Sequence, residues 1–427
     1  MNFTKIALAV VATVGVAAQA QAATVNLTGA SATSLSYVKA LKGLCGGAFT
    51  VYKTDASADA LGNFFTAKCS QNFTGLSNAG GVAVDAVAFN VSGGSFTAVS
   101  GSAGNASFNF VPTTGGTATA GAGNLAGINL QTGVTASLTG QKSVGGFLDI
   151  EPTSFPESEL ITAGVSASTL SAKTSAANFS QVFGVAVSND LYKALQTAQG
   201  IAAATSTEDD RLPQFQPSIS RAVYTAIVAA SFNSAKQDIN SLLGVGAAGD
   251  KLTLCRRAST SGTQAASNQF FLGTFTGSDG SNGGSLLPAD AATYGAASGL
   301  PSFEVQEGAG TSNARNCLNS NGYGIGVLSL ENNPAVAIAT GELGGYRFVK
   351  LNGVTAYDGV GSVASAKDGS YEFWFQSQKF ANNATGAAVL NAIDNELNVL
   401  TGVTGLFPNA ENLFTRDGNN ANPISKQ

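Results

Sequence analysis

Histidine is absent from the 427 residues, and methionine and tryptophan occur once each. Without an imidazole, Ser-His-Asp and Cys-His nucleophiles are excluded. Charge is scarce as well: 21 Lys and Arg stand against 26 Asp and Glu, and the net charge is −5. Such a balance argues against nonspecific nucleic-acid binding, so any anion must be held by a local set of donors rather than a basic face. No carboxylate cluster suited to a catalytic metal stands out, which makes an enzyme the least favoured class, and no cofactor is expected. Beyond the N-terminus there is no second long apolar run, and no period marks a repeat protein.

The N-terminus has the grammar of a secretory signal. Lys5 gives a positive start, Ile6 to Ala18 an apolar core, and Ala20-Gln21-Ala22 a small-x-small cleavage site. Residues 1–22 are expected to be removed, and no cysteine follows the cleavage site to suggest a lipid anchor. About 405 residues would remain, enough for two ordinary domains. In an exported chain, the four cysteines favour two disulfides, and the pairing with the shorter loops is Cys45–Cys69 with Cys255–Cys317. A metal site is the weaker reading of these cysteines, because no Cys-x-x-Cys spacing occurs.

Hydrophobic spacing predicts alternating strands and helices. Val25 to Gly29 reads as a strand and Ser34 to Leu44 as a helix with Leu35, Val38, Leu41 and Leu44 on one face. Val82 to Val91 and Phe183 to Ser188 read as strands, Asn189 to Gln199 and Pro217 to Ala230 as helices. Tyr346 to Leu351 and Tyr371 to Gln376 are further strands, and Leu390 to Leu400 is a closing helix. Between Asp85 and Lys142 there is no charged residue, and the span is rich in Gly, Ala, Ser and Thr with spaced apolar side chains. That span reads as an insertion of short strands and turns suited to a contact surface, with Ser92 to Thr139 expected to be dispensable for folding.

The most informative stretch runs from Cys255 to Phe271. Lys251 to Cys255 is a short strand and Gln264 to Leu272 is helix-compatible, so Ser261-Gly262-Thr263 sits where a strand turns into a helix. There a hydroxyl can cap free N–H groups, Gly262 permits close approach, and the helix terminus favours an anion. Arg257, four residues before Ser261, can add a bidentate fork. The alternative is an ordinary N-cap beside two surface arginines.

Arg257-Ala-Ser-Thr-Ser261-Gly262-Thr263 resembles the Arg-x-x-x-Ser-Gly-Thr loop of the periplasmic phosphate-binding proteins of ABC transporters. Leu27-Thr-Gly-Ala-Ser-Ala-Thr33 resembles that family's Leu-Thr-Gly-Ala-Gly-Ala-Thr-Phe, which implies ligand contacts at Thr33 and Ser34, the latter replacing Phe. Ser92-Gly-Gly-Ser95 is similar to its Ser-Ser-Gly-Gly loop, with Ser92 and Ser95 both candidates. Gly145 to Pro152 resembles its Asp-Phe-Gly-Ala-Ser-Asp-Ala-Pro segment and places Asp149 on the carboxylate that accepts a hydrogen from protonated phosphate; Leu148 stands where the family has Ser. A carboxylate facing an oxyanion is repulsive unless a proton lies between them, which filters against sulfate. Glu307 to Cys317 and Gly324 to Leu328 resemble a later turn-and-helix and strand of the family.

The resemblance implies an α/β fold of two lobes, the type II periplasmic binding protein or Venus flytrap, with mixed sheets and a ligand cleft between the lobes. Lobe 1 is expected over 23–185 plus 371–427, with the insertion at about 92–140, and lobe 2 over 186–370. The implied function is binding of inorganic phosphate or another tetrahedral oxyanion, delivered to an ABC permease, in the periplasm or outside a Gram-negative cell. No nucleic-acid partner is expected, and the chain should be a monomer with self-assembly through the uncharged span as the variant. The competing reading is a secreted surface protein, structural or adhesive, that keeps the fold without delivering a ligand.

Overall fold

The computed structural model describes residues 22–78, 80–101, 106–205, 208–229, 239–247, 250–273, 303–332, 334, 345–358, 363–400, 405–416 and 424–426. The expected signal segment lies outside them up to residue 21, as does 274–300 of the turn-rich stretch. The fold is mixed α/β. Among the described residues, no helix is long and apolar enough to cross a membrane.

The first sheet has six strands: β1 (Ala23–Thr28), β2 (Phe49–Lys53), β3 (Phe64–Cys69), β4 (Val84–Asn90), β5 (Thr117–Ala120) and β6 (Asn129–Thr132). Their order is β1-β4-β3-β2-β6-β5, with β1–β4 and β2–β6 parallel and the other pairs antiparallel. Helix α1 (Ser34–Leu44) follows β1 with the expected limits. Its buried residues are Ser34, Ser36, Tyr37, Val38, Ala40 and Leu41, and Leu35 and Leu44 of the expected face are part-buried against the same core.

The span expected as an insertion is built into this sheet. β6 pairs with β2, and Leu125, Ile128 and Leu130 belong to the same core as Val51 and Phe65. The low-contrast Thr-Ala-Thr-Ala of β5 is a largely exposed edge strand, which hydrophobic spacing does not flag.

The second sheet has eight strands. They are β7 (Gly145–Leu148), β8 (Thr174–Ser188), β9 (Leu252–Arg257), β10 (Phe303–Gly308), β11 (Gly324–Ser329), β12 (Tyr346–Phe348), β13 (Trp374–Ala381) and β14 (Leu406–Pro408). The main path is β10-β9-β11-β8-β13-β7, and β12 and β14 also pair with β8. β9 lies between parallel neighbours β10 and β11, and all six of its residues are buried, as expected for an interior parallel strand.

Strand β8 runs for 15 residues and serves two apolar cores: Ala177 and Phe179 join the first, Val182, Phe183, Val185 and Val187 the second. β7 does the same by alternation, with Phe147 in one core and Leu148 in the other. Helices α2 (Asn189–Ala198), α3 (Arg221–Ala229), α4 (Gly262–Ser267), α5 (Thr311–Ser320) and α6 (Ala384–Val399) complete the frame used below. α3 starts later than its sequence pattern because Ser218–Ile219 pairs as a strand with Lys350–Leu351. α6 starts earlier, where Asn383 accepts from the Gly386 N–H at 2.9 Å and caps it.

Both disulfides form as spaced in the sequence. Cys45–Cys69 ties the end of α1 to β3, and Cys255–Cys317 ties β9 to α5.

Candidate functional site

Arg257 ends β9, and its side chain is 1% exposed. Nε donates to Gly308 O at 3.1 Å and Nη2 to Ala309 O at 3.1 Å. Nη1 donates to Thr311 Oγ1 at 2.8 Å and Ser31 Oγ at 3.3 Å, and those two hydroxyls share a hydrogen bond at 2.9 Å. Among the described residues no carboxylate comes within ion-pair distance of this guanidinium. Burial lowers it to about 10, while the Asp149 charge opposes that shift. Arg256, on the opposite side of the strand, is instead paired with Glu307 at 2.6 Å. One arginine is neutralised; its neighbour is a buried cation held by neutral oxygens.

The loop after Arg257 begins α4 as the spacing predicts. Ser261 is the N-cap, accepting from the Gln264 N–H at 3.4 Å, and Gln264 Oε1 accepts from the Arg257 N–H at 3.0 Å. Against this loop lies the turn after β4. Gly94, at φ +78°, brings its backbone so close that a Cβ would stand 2.7 Å from Ser261 Cα, and Phe96 N–H donates to Thr260 O at 3.0 Å. A Cβ on Gly262 would meet Ser95 Oγ and lie 2.7 Å from Asp149 Oδ2, so only glycine fits.

Ser95 Oγ–H donates to Asp149 Oδ2 at 3.0 Å. Asp149 is 2% exposed, and its Oδ1 has no hydrogen-bond partner among the described residues. Burial raises this carboxyl to about 6, against the pull of Ser95, the Arg257 charge and the nearby Thr263 hydroxyl. Five of the expected residues thus converge with Arg257: Ser95, Asp149, Ser261, Gly262 and Thr263. Ser92 is not among them, being part-exposed with its N–H bonded to Asn90 Oδ1 at 3.1 Å.

No protein-family model matches the chain, and no curated protein matches it. A phosphate ABC transporter substrate-binding protein from Clostridium perfringens, solved with bound phosphate, is similar in structure over 87% of this chain and 93% of its own. Identity is 11% and the TM-score 0.39, a likeness that carries no weight for the ligand. The site is therefore read from its own residues.

The turn between β1 and α1 departs from expectation. Thr33 Oγ1 is bonded to the Tyr37 hydroxyl, and Ser34 Oγ donates to Ser31 O at 2.6 Å. Ser31, not Thr33 or Ser34, reaches Arg257. Three residues of the site escaped the sequence reading: Ser31, Thr311 and Glu331. Ser31 stands where the resembling motif has glycine, which was a usable signal. Thr311 lies in the 307–317 segment that resembles the family's turn-and-helix but was not singled out there, and Glu331 arrives from about 300 residues away and leaves no local trace.

Glu331 follows β11 and is 5% exposed. Burial pushes its carboxyl up to about 8, opposed by hydrogen bonds from Ser36 and the Leu35 backbone and by Lys39. It lines, with Ser31, Ser34, Thr311, Arg315 and Asn63, a small open cleft of about 50 Å³. Ser31 and Thr311 touch the guanidinium on one side and this cleft on the other.

Proposed function

We propose that the chain is an exported binding protein for phosphate or a similar tetrahedral oxyanion. Arg257 supplies the charge, Ser31 and Thr311 the adjoining hydroxyls, and Ser95, Asp149 and the Ser261–Thr263 turn the opposite wall. On this reading the two cores belong to two lobes, and delivery to an ABC permease is the onward step. The observation that carries it is a fully buried guanidinium with no carboxylate at ion-pair distance among the described residues. A buried cation held only by neutral oxygens is costly to fold around, and an oxyanion arriving at it offsets that cost. Asp149, with its free Oδ1, fits a ligand that brings a proton with it.

Calorimetric titration with phosphate, sulfate and arsenate tests the reading. Arg257→Ala should weaken binding by roughly 30-fold or more, since losing one partner of a desolvated charge pair costs about 2–5 kcal/mol. Asp149→Asn should relax rejection of sulfate more than it weakens phosphate. Absence of anion binding in the unsubstituted protein would leave the surface-protein reading, which the self-satisfied hydroxyls of Thr33 and Ser34 favour.

A further inference from the structure

Where β8 and β13 pair, the chain builds a second polar pocket that shares no residue with the proposed oxyanion site. Ser180 stands opposite Gln376 and Val182 opposite Trp374 in the ladder. Alternation puts Trp374 and Gln376 on one face of β13 with Ser180 beside them. These three, with Asn409, Asn412 and Arg416, line a cavity of about 80 Å³. That is more than twice the roughly 30 Å³ that one water occupies in the liquid. Phe414, part-exposed, gives the cavity an apolar side.

The lining holds a cation and, among the described residues, no carboxylate. Arg416 is 8% exposed, and its guanidinium carbon lies 5.4 Å from the centre of the Trp374 ring and 5.2 Å from that of Phe375. Burial lowers this group to about 10, with the Glu372 charge opposing the shift and the Arg221 charge adding to it, so it stays charged at neutral pH. Two amide oxygens of the lining are already used: Asn409 Oδ1 accepts from the Ser180 hydroxyl at 2.7 Å, and Asn412 Oδ1 from the Phe414 N–H at 3.1 Å. One donor is not. Trp374 is 2% exposed, and its indole N–H has no hydrogen-bond partner among the described residues. Leaving a buried donor unmet is unfavourable, and an acceptor that reaches it recovers the loss.

We propose that this pocket binds a small carboxylate, with an oxygen accepting from the Trp374 N–H, the charge facing Arg416 and the carbon end toward Phe414. The unmet capacity of the site is that of a donor and a cation, so the ligand must bring acceptors and negative charge. The mixed polar and apolar lining and the small volume suit an acetate-sized anion. The proposal does not depend on the oxyanion reading, since the two sites have no side chain in common.

Trp374 is the chain's only tryptophan, so tryptophan emission reports on this pocket. The test titrates sodium acetate into the full chain at constant ionic strength, with sodium chloride and inorganic phosphate in parallel, and repeats the titration with Arg416→Gln and Asn412→Asp. Acetate should change the emission saturably, chloride should not, and the acetate response should persist in excess phosphate. Arg416→Gln should weaken the response by roughly tenfold or more, because it removes the charge that faces the ligand. Asn412→Asp adds a like charge to the lining and should weaken it in the same direction. No saturable response to acetate overturns the proposal, and so does a response of equal strength in both variants. A response to phosphate instead of acetate, or one that excess phosphate abolishes, overturns it as well. Should Arg416→Gln not fold, Asn412→Asp decides. Calorimetry with phosphate on the unsubstituted protein judges the oxyanion reading separately.

Discussion

Two strand–turn–helix units meet where Arg257 reaches Ser31, and they satisfy similar local chemistry in opposite ways. In the unit of β1 and α1, the turn hydroxyls of Thr33 and Ser34 bond within the turn and first helical residues, and the helix end receives the Glu331 carboxylate. In the unit of β9 and α4, Ser261 caps its own helix while Arg257 stays a buried cation among neutral oxygens. Local sequence decides that each is a capped turn. Which of them keeps an unbalanced charge is decided by a residue brought from a distant part of the chain.

Each unit also has its own staple, which allows the largest effect to be tested first. Cys255–Cys317 spans 62 residues and Cys45–Cys69 spans 24. Replacing either pair by serine should lower stability by about 3–4 kcal/mol, more for the longer loop. Guanidinium unfolding of the two double variants measures this, and a larger loss from the shorter loop would break the expectation. The contrast within β9 comes next. Arg256→Ala should change phosphate affinity by less than roughly threefold, because its partner is an exposed-edge glutamate, whereas Arg257→Ala removes the site's charge. Equal losses would erase the distinction between the two arginines.

The two carboxyls sharpen the comparison through pH. Both are raised on folding, so the folded protein holds a proton that the unfolded chain has released. Stability is then present below the ordinary value and lost as pH rises through the raised one. For Asp149 the window runs from 3.8 to about 6, for Glu331 from 4.5 to about 8. The melting temperature of the unsubstituted protein should fall relative to Asp149→Asn across the first window and relative to Glu331→Gln across the second. Parallel curves would show that neither carboxyl carries its raised value. The smallest effect separates the two serines: Ser95→Ala should weaken phosphate binding measurably, and Ser92→Ala should leave it unchanged within error.

Much of the frame was legible from short-range pattern. The limits of α1, the strands at 84–90 and 252–257, and both disulfides follow from spacing that one or two turns of chain display. Ser95 and Asp149 were legible only through motif resemblance, Gly262 already from its place between a strand and a helix, and the structure packs the three against one another. β5 and β6 fall in the span read as short strands and turns, but Thr, Ala, Asn and Gln give too little contrast between inner and outer faces to locate them. Glu331 was missed for a different reason. A carboxylate that caps a helix 295 residues away has nothing in its own neighbourhood to distinguish it.

Strand β8 has a thermodynamic consequence. Its 15 residues lend Ala177 and Phe179 to one core and Val182 to Val187 to the other, with an irregular register between Ala176 and Ser180. Melting either core would strip ladder partners from the same continuous backbone. The two cores therefore form one cooperative unit, and calorimetry should record a single heat-absorption peak where two independent modules would give two.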